Sequence, residues 1–176
     1  MNKVIGVAGF KNAGKTTLVE KLVTELTRRG HRISTVKHAH HGFDLDQPGK
    51  DSFMHRAAGA TEVAISSANR FAILHELRGA PEWDLKDLLG KMSPVDLVLV
   101  EGFKRDAFPK LEIHRKENGK PLLHPDDPRI VAIAADVALP QAQVPVIDLD
   151  DIEAICDLLL KHAIPVEKAT AGMGAA

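Results

Sequence analysis

Gly9-Phe10-Lys11-Asn12-Ala13-Gly14-Lys15-Thr16 has the spacing of a phosphate-binding loop: a glycine, any four residues, then Gly-Lys-Thr. Val4-Ile5-Gly6-Val7-Ala8 before it predicts a short buried strand, and Thr17 to Arg29 after it predicts a helix. That context is the one the chemistry needs. Backbone N–H groups from Gly9 through Asn12, Ala13 and Gly14 to Thr17 converge on an anion, and the helix dipole adds to the attraction. Lys15 reaches β- and γ-phosphates, and the Thr16 hydroxyl holds Mg²⁺. The pattern predicts binding of a nucleoside triphosphate or a close relative.

Such a loop works with an acid at the end of a neighbouring strand, which orients Mg²⁺ directly or through water. Asp96-Leu97-Val98-Leu99-Val100-Glu101-Gly102 offers two. Glu101 lies at the C-terminal end of the predicted strand, on the edge where ligands of open α/β sheets bind. Asp96 lies at the opposite end and reads as an entry residue. Glu101 is therefore the candidate metal-end residue, with a cap on the next turn as its structural alternative. Lys104 follows closely, either as a phosphate contact or as half of a solvated charge pair with Arg105.

Lys37-His38-Ala39-His40-His41 stands out among nine histidines. Three readings are open: a Zn²⁺ or Ni²⁺ site, a phosphate or substrate contact at the nucleotide edge, and solvated loop side chains. Cys156, the one cysteine, falls among Ile152, Ile155 and Leu159 on a predicted helix and reads as a core residue.

The elements that carry these residues follow from the hydrophobic pattern. Leu18, Leu22 and Leu26 share one face of the first helix. Ile33 to Lys37, Val63 to Ser66, Phe71 to Leu74, Asp96 to Val100, Ile130 to Ala134 and Val144 to Ile147 predict strands. Asp51 is a candidate cap for a helix from Ser52 to Ala58, Asp84 for one reaching Met92, and a last helix spans about Asp150 to His162. Lys110 to Arg115 and Pro121 to Leu123 flank Asn118-Gly119 and predict a β-hairpin; it, or a sheet edge, is the candidate dimer surface. The fold class is α/β: a P-loop NTPase with a mainly parallel mixed sheet, flanking helices and an added hairpin. One domain is expected over 1–164, with a disordered tail over 165–176. With 23 Lys and Arg against 24 Asp and Glu, the net charge is −1, which gives no support to a nucleic-acid or anionic-membrane partner. One cysteine, no apolar run of about 18 residues and no signal-peptide pattern lead to the expectation of a cytoplasmic protein.

Taken together, the motifs resemble the MobB family, the molybdopterin-guanine dinucleotide biosynthesis adaptor proteins. The phosphate loop, the His38–His41 stretch, Asp44-x-Asp46-x-Pro48-Gly49-Lys50-Asp51-Ser52, Arg56-Ala-Ala-Gly-Ala, Glu101-Gly102-Phe103-Lys104 and Ala134-Ala135-Asp136 occur in that order over about residues 3 to 162. The resemblance implies GTP and Mg²⁺ as ligands, slow hydrolysis and a homodimer. It also implies partnership with the molybdopterin guanylyltransferase, with the molybdopterin cofactor and with molybdoenzymes awaiting it. It places Gly9, Gly14, Lys15, Thr16 and Thr17 on phosphates and Mg²⁺, and Glu101 at the metal end. It lines the nucleotide or cofactor surface with His38, His40, His41, Asp44, Lys50 and Asp51. Asp136 becomes a candidate base contact, with a turn-forming role as its alternative. The usual guanine reader, Asn-Lys-x-Asp after a strand, is missing, so guanine preference rests on the resemblance alone. Rival readings are a small-molecule kinase, which needs an acceptor pocket and usually a lid with arginines, and a nickel-insertion GTPase, a class that often carries His-rich or Cys-containing metal motifs.

Overall fold

The computed structural model describes residues 2–39, 42–103 and 106–171. The described residues fall into two compact units, one within Met1–His38 and Leu85–Ala176, the other within Ala39–Asp84.

The first unit is built on a seven-stranded sheet. Its strands are β1 (Lys3–Ala8), β2 (Ile33–Lys37), β5 (Leu97–Glu101), β6 (Lys110–His114), β7 (Ile130–Ala135), β8 (Val146–Asp148) and β9 (Ile164–Pro165). The order β2-β5-β1-β6-β7-β8 is parallel throughout, and β9 pairs antiparallel with the start of β1. The apolar runs in β1 and β5 follow from burial on both faces. Ile5, Val7, Leu97 and Leu99 pack with Leu18, Leu22 and Leu26 of α1 (Lys15–Arg28) and Ile155 and Leu159 of α4 (Ile152–His162). Val4, Val98 and Val100 pack on the other side with Phe108, with Leu85 and Leu89 of α3 (Leu85–Lys91), and with Ala169 of α5 (Val166–Ala169). Cys156 is fully buried in the first of these cores, and burial pushes its thiol up to about 11, as a core cysteine requires. Asp151 caps α4 by accepting the Ala154 N–H at 3.0 Å.

Two expectations are corrected in this unit. The hairpin over 110–123 does not form. Lys110-Leu-Glu-Ile-His alternates polar and apolar like a half-exposed hairpin strand, but β6 runs parallel between β1 and β7. Lys110 and Glu112 are buried, with partners on both sides of the strand in sequence. The Lys110 ammonium donates to the Asp106 carbonyl at 2.9 Å and to Asp127 Oδ2 at 3.0 Å. The Glu112 carboxylate accepts the Leu123 and His124 N–H groups at 2.7 and 2.9 Å. Asn118-Gly119 closes a short 3₁₀ turn, Lys116–Asn118, instead of a hairpin. Of the tail expected to be disordered over 165–176, Pro165 closes β9 and Val166–Ala169 form α5, with Ala169 buried; residues 172–176 lie outside the described residues.

Glu112 is 1% exposed, so removing it strands two backbone donors away from water. Glu112→Ala is expected to destabilise the protein by about 2 kcal/mol or more. Urea unfolding measures this, and an unchanged midpoint rejects the anchoring role.

The second unit holds α2 (Asp51–Ala57) and a hairpin of β3 (Glu62–Ser66) with β4 (Phe71–His75), paired Val63↔Leu74 and Ile65↔Ala72. Both strands are ones the sequence predicts, over Val63 to Ser66 and Phe71 to Leu74. Asp51 does not cap α2. Lys50 holds the cap position, and Asp51 opens the first turn, where its charge suits the helix dipole. Arg56 ties the unit together. It pairs with Asp44 at 2.9 Å, Asp46 at 3.1 Å and Glu76 at 2.7 Å, and its guanidinium lies 5.7 Å from the Phe53 ring centroid. These carboxylates hold the Arg56 pKa above its ordinary value, Glu76 foremost, and Arg56 in turn helps to keep Asp44 and Asp46 below theirs.

Candidate functional site

The site lies at the C-terminal edge of the parallel sheet in the first unit. β1 ends at Ala8, the loop runs over 9–14, and Gly14 caps α1 with φ +89°. Only glycine takes that conformation freely, and a Cβ there would also stand 3.0 Å from Arg115 Nε. The Leu18 N–H makes the first helical bond, to the Gly14 carbonyl at 3.0 Å. The N–H groups of Lys15, Thr16 and Thr17 precede it and have no partner within the helix. Asn12 also has a positive φ, +66°, and the Ala13 N–H closes a turn on the Phe10 carbonyl. The Lys15 ammonium arches back over the loop, donating to the carbonyls of Gly9 at 3.1 Å and Phe10 at 2.9 Å.

Strand register brings the acid to the loop. Glu101 pairs with Val7 of β1 and with Lys37 of β2. Lys37 Nζ then stands 3.4 Å from Thr16 Oγ1 and 3.6 Å from Glu101 Oε2. A hydroxyl and a carboxylate thus converge on one positive point. Such hard oxygen donors suit Mg²⁺, which completes its shell with phosphate oxygens and water. Lys37 was not among the predicted site residues; its part depends on pairing across two strands.

Gly102, at φ +115°, allows the chain to pass against His38, where a Cβ would lie 2.6 Å from His38 Cβ. The His38 N–H donates to the Glu101 carbonyl at 2.9 Å, and its ring lies 5.2 Å from the Phe103 ring. His38 therefore borders the acid. His40, His41 and Lys104 lie outside the described residues. Among the described residues no group of three or more His, Cys, Asp or Glu side chains could hold a metal ion.

Asp136 follows β7, and its Oδ1 accepts the Lys116 N–H at 2.9 Å. Asn118 Nδ2 in the same turn donates to the Lys11 carbonyl at 3.2 Å. Asp136 thus fixes a turn that touches the phosphate loop. Asp96 receives the Arg32 N–H at 2.8 Å, the entry role expected of it. Lys50 and Asp51 belong to the second unit, at the start of α2. Arg56 of the same unit is held by three carboxylates.

A parallel sheet with a Gly-Lys-Thr loop between its central strand and a helix, and an acid at the adjoining strand end, defines a P-loop NTPase fold. Within it, the chain belongs to the MobB family: the model described as molybdopterin guanine dinucleotide synthesis protein B matches residues 4–136. It is 37% identical over 164 residues to the molybdopterin-guanine dinucleotide biosynthesis adapter protein of Escherichia coli, covering 92% of this chain and 93% of that one. It is 36% identical over 156 residues to the adapter protein of Haemophilus influenzae, covering 89% and 86%. The crystal structure of Bacillus subtilis MobB superposes with a TM-score of 0.71 at 28% identity, covering 92% of this chain and 98% of that one. No helix among the described residues is long and apolar enough to cross a membrane.

Proposed function

We propose that this chain is a GTP-binding adapter in molybdenum cofactor biosynthesis. It assists the guanylyltransferase that makes molybdopterin guanine dinucleotide, or the delivery of that product to molybdoenzymes, in the cytoplasm. The observation that carries the nucleotide part is the convergence of Thr16, Lys37 and Glu101 at the head of α1. The pathway is that named in its relatives.

In this reading the amide groups of 14–17 hold the phosphates. Lys15 turns from the loop carbonyls to β- and γ-oxygens, and Thr16 and Glu101 hold Mg²⁺. Bound Mg²⁺ would neutralise charge that builds on the phosphates. Hydrolysis is slow in this reading because Glu101, committed to the metal end, is not a free base for water. A homodimer fits the second unit, whose hairpin leaves Phe71 74% and Ile73 59% exposed on one face.

Calorimetric titration of GTP and ATP, each with and without Mg²⁺, tests the reading. The expected result is Mg²⁺-dependent GTP binding at least about tenfold tighter than ATP binding, a difference of about 1.4 kcal/mol. Preference for ATP rejects it and directs attention to a small-molecule kinase.

A further inference from the structure

Arg115 stands directly after β6, half-buried, with no part in the chemistry described so far. Its guanidinium packs against Gly14, with Nε 3.0 Å and Nη2 3.6 Å from where a Cβ of that glycine would be. It shares a small recess with Thr17, Lys21, Ile113 and Leu149. The other cation of that recess, Lys21, is paired with Asp150 at 3.2 Å. Among the described residues no carboxylate pairs with Arg115. Half-buried, Arg115 rests its stem on the protein and leaves its guanidinium open to a ligand. Its place is also braced: Asp136 holds the Lys116 N–H beside it, and Asn118 of the same turn holds the phosphate loop at Lys11.

The strand order says which end of a nucleotide Arg115 faces. Thr16, Lys37 and Glu101, the metal end, lie toward β5 and β2, on one side of β1. Arg115 lies toward β6, on the other side. A nucleotide with its γ-phosphate at the metal end carries its nucleoside toward Arg115. The guanidinium stands on the side of Gly14 where a Cβ would project. A planar cation there suits the face of a purine.

We infer that Arg115 is the platform on which the nucleobase stacks, and that it is not an arginine finger for the γ-phosphate. This inference rests on the nucleotide-binding reading above. A guanidinium plane does not distinguish purines, so GTP and ATP depend on it by the same factor.

The test is calorimetry on the full chain with GTP, ATP and inorganic tripolyphosphate, for the wild type, Arg115→Ala and Arg115→Lys. The expected result is a loss of at least about fivefold for GTP and for ATP in Arg115→Ala, with tripolyphosphate changed by less than about twofold. Arg115→Lys keeps the charge but loses the plane, so it is expected to resemble the alanine variant. Thermal melting of both variants checks that they fold; Arg115→Lys carries the test if the alanine variant does not. Equal loss for tripolyphosphate overturns the inference in favour of a phosphate contact, as does full recovery in Arg115→Lys. Unchanged GTP affinity overturns it in favour of a purely structural arginine. Failure of the wild type to bind either GTP or tripolyphosphate overturns the nucleotide reading itself.

Discussion

Lys15→Ala is expected to lower GTP affinity at least tenfold while leaving the fold intact. Both halves follow from where the side chain sits. The ammonium donates to the carbonyls of Gly9 and Phe10, whereas α1 is held by Leu18, Leu22 and Leu26, all at most 2% exposed. Losing the ammonium therefore leaves the helix packed. Bound phosphate, by contrast, loses its main charge-assisted contact. Hydrogen bonds to charged groups contribute about 1.5–3 kcal/mol, which is about 10- to 150-fold in affinity. The backbone amides of 14–17 remain, so binding is weakened and not abolished. Titration of GTP into the variant, with urea unfolding alongside, measures both quantities. Unchanged GTP affinity would remove Lys15 from the phosphate site. A large fall in unfolding stability would show that the loop needs its lysine for structure.

The difference between what was legible in the sequence and what was not lies in the distance over which each interaction is specified. The phosphate loop is eight consecutive residues between a strand and a helix, so sequence spacing alone announces it. Glu101 is legible because the apolar run Leu97–Val100 ends in it. Lys37 is not, because its approach to Thr16 and Glu101 needs β2 in register with β5, and those strands are separated by the whole of 38–96. Lys110 and Glu112 mislead for a different reason. Polar side chains alternating along a strand ordinarily mark a solvated face. Here each is buried against partners supplied by the following loop, Asp127 for Lys110 and the Leu123 and His124 amides for Glu112. That burial turns a predicted hairpin into an inner parallel strand, and it carries Arg115 to the phosphate loop. The second unit, 39–84, has no linker composition to announce it. β9 is two residues long, too short to show any periodicity.

Glu101→Gln is expected to separate metal-dependent from metal-free binding. The Glu101 side chain is 13% exposed and faces the Lys37 ammonium at 3.6 Å; Thr16 Oγ1 faces the same ammonium at 3.4 Å. Glutamine keeps the shape and one oxygen but removes the negative charge. For GTP with Mg²⁺, a hard oxygen ligand is weakened, and affinity is expected to fall at least fivefold, about 1 kcal/mol. For GTP without metal, the same change removes a carboxylate near the phosphates and leaves the Lys37 charge uncompensated. Repulsion falls and attraction rises, so metal-free affinity stays level or increases. The ratio of affinities with and without Mg²⁺ is therefore the quantity to measure, because it cancels any general loosening of the site. Equal losses in both conditions would make Glu101 a brace for Lys37 and for the strand end, and the Mg²⁺ ligand would have to be sought elsewhere. A collapsed ratio with metal-free binding preserved would assign the metal to the Thr16–Glu101 pair. It would also give Lys37 a definite role, as the cation that holds those two oxygens in place when the metal is away.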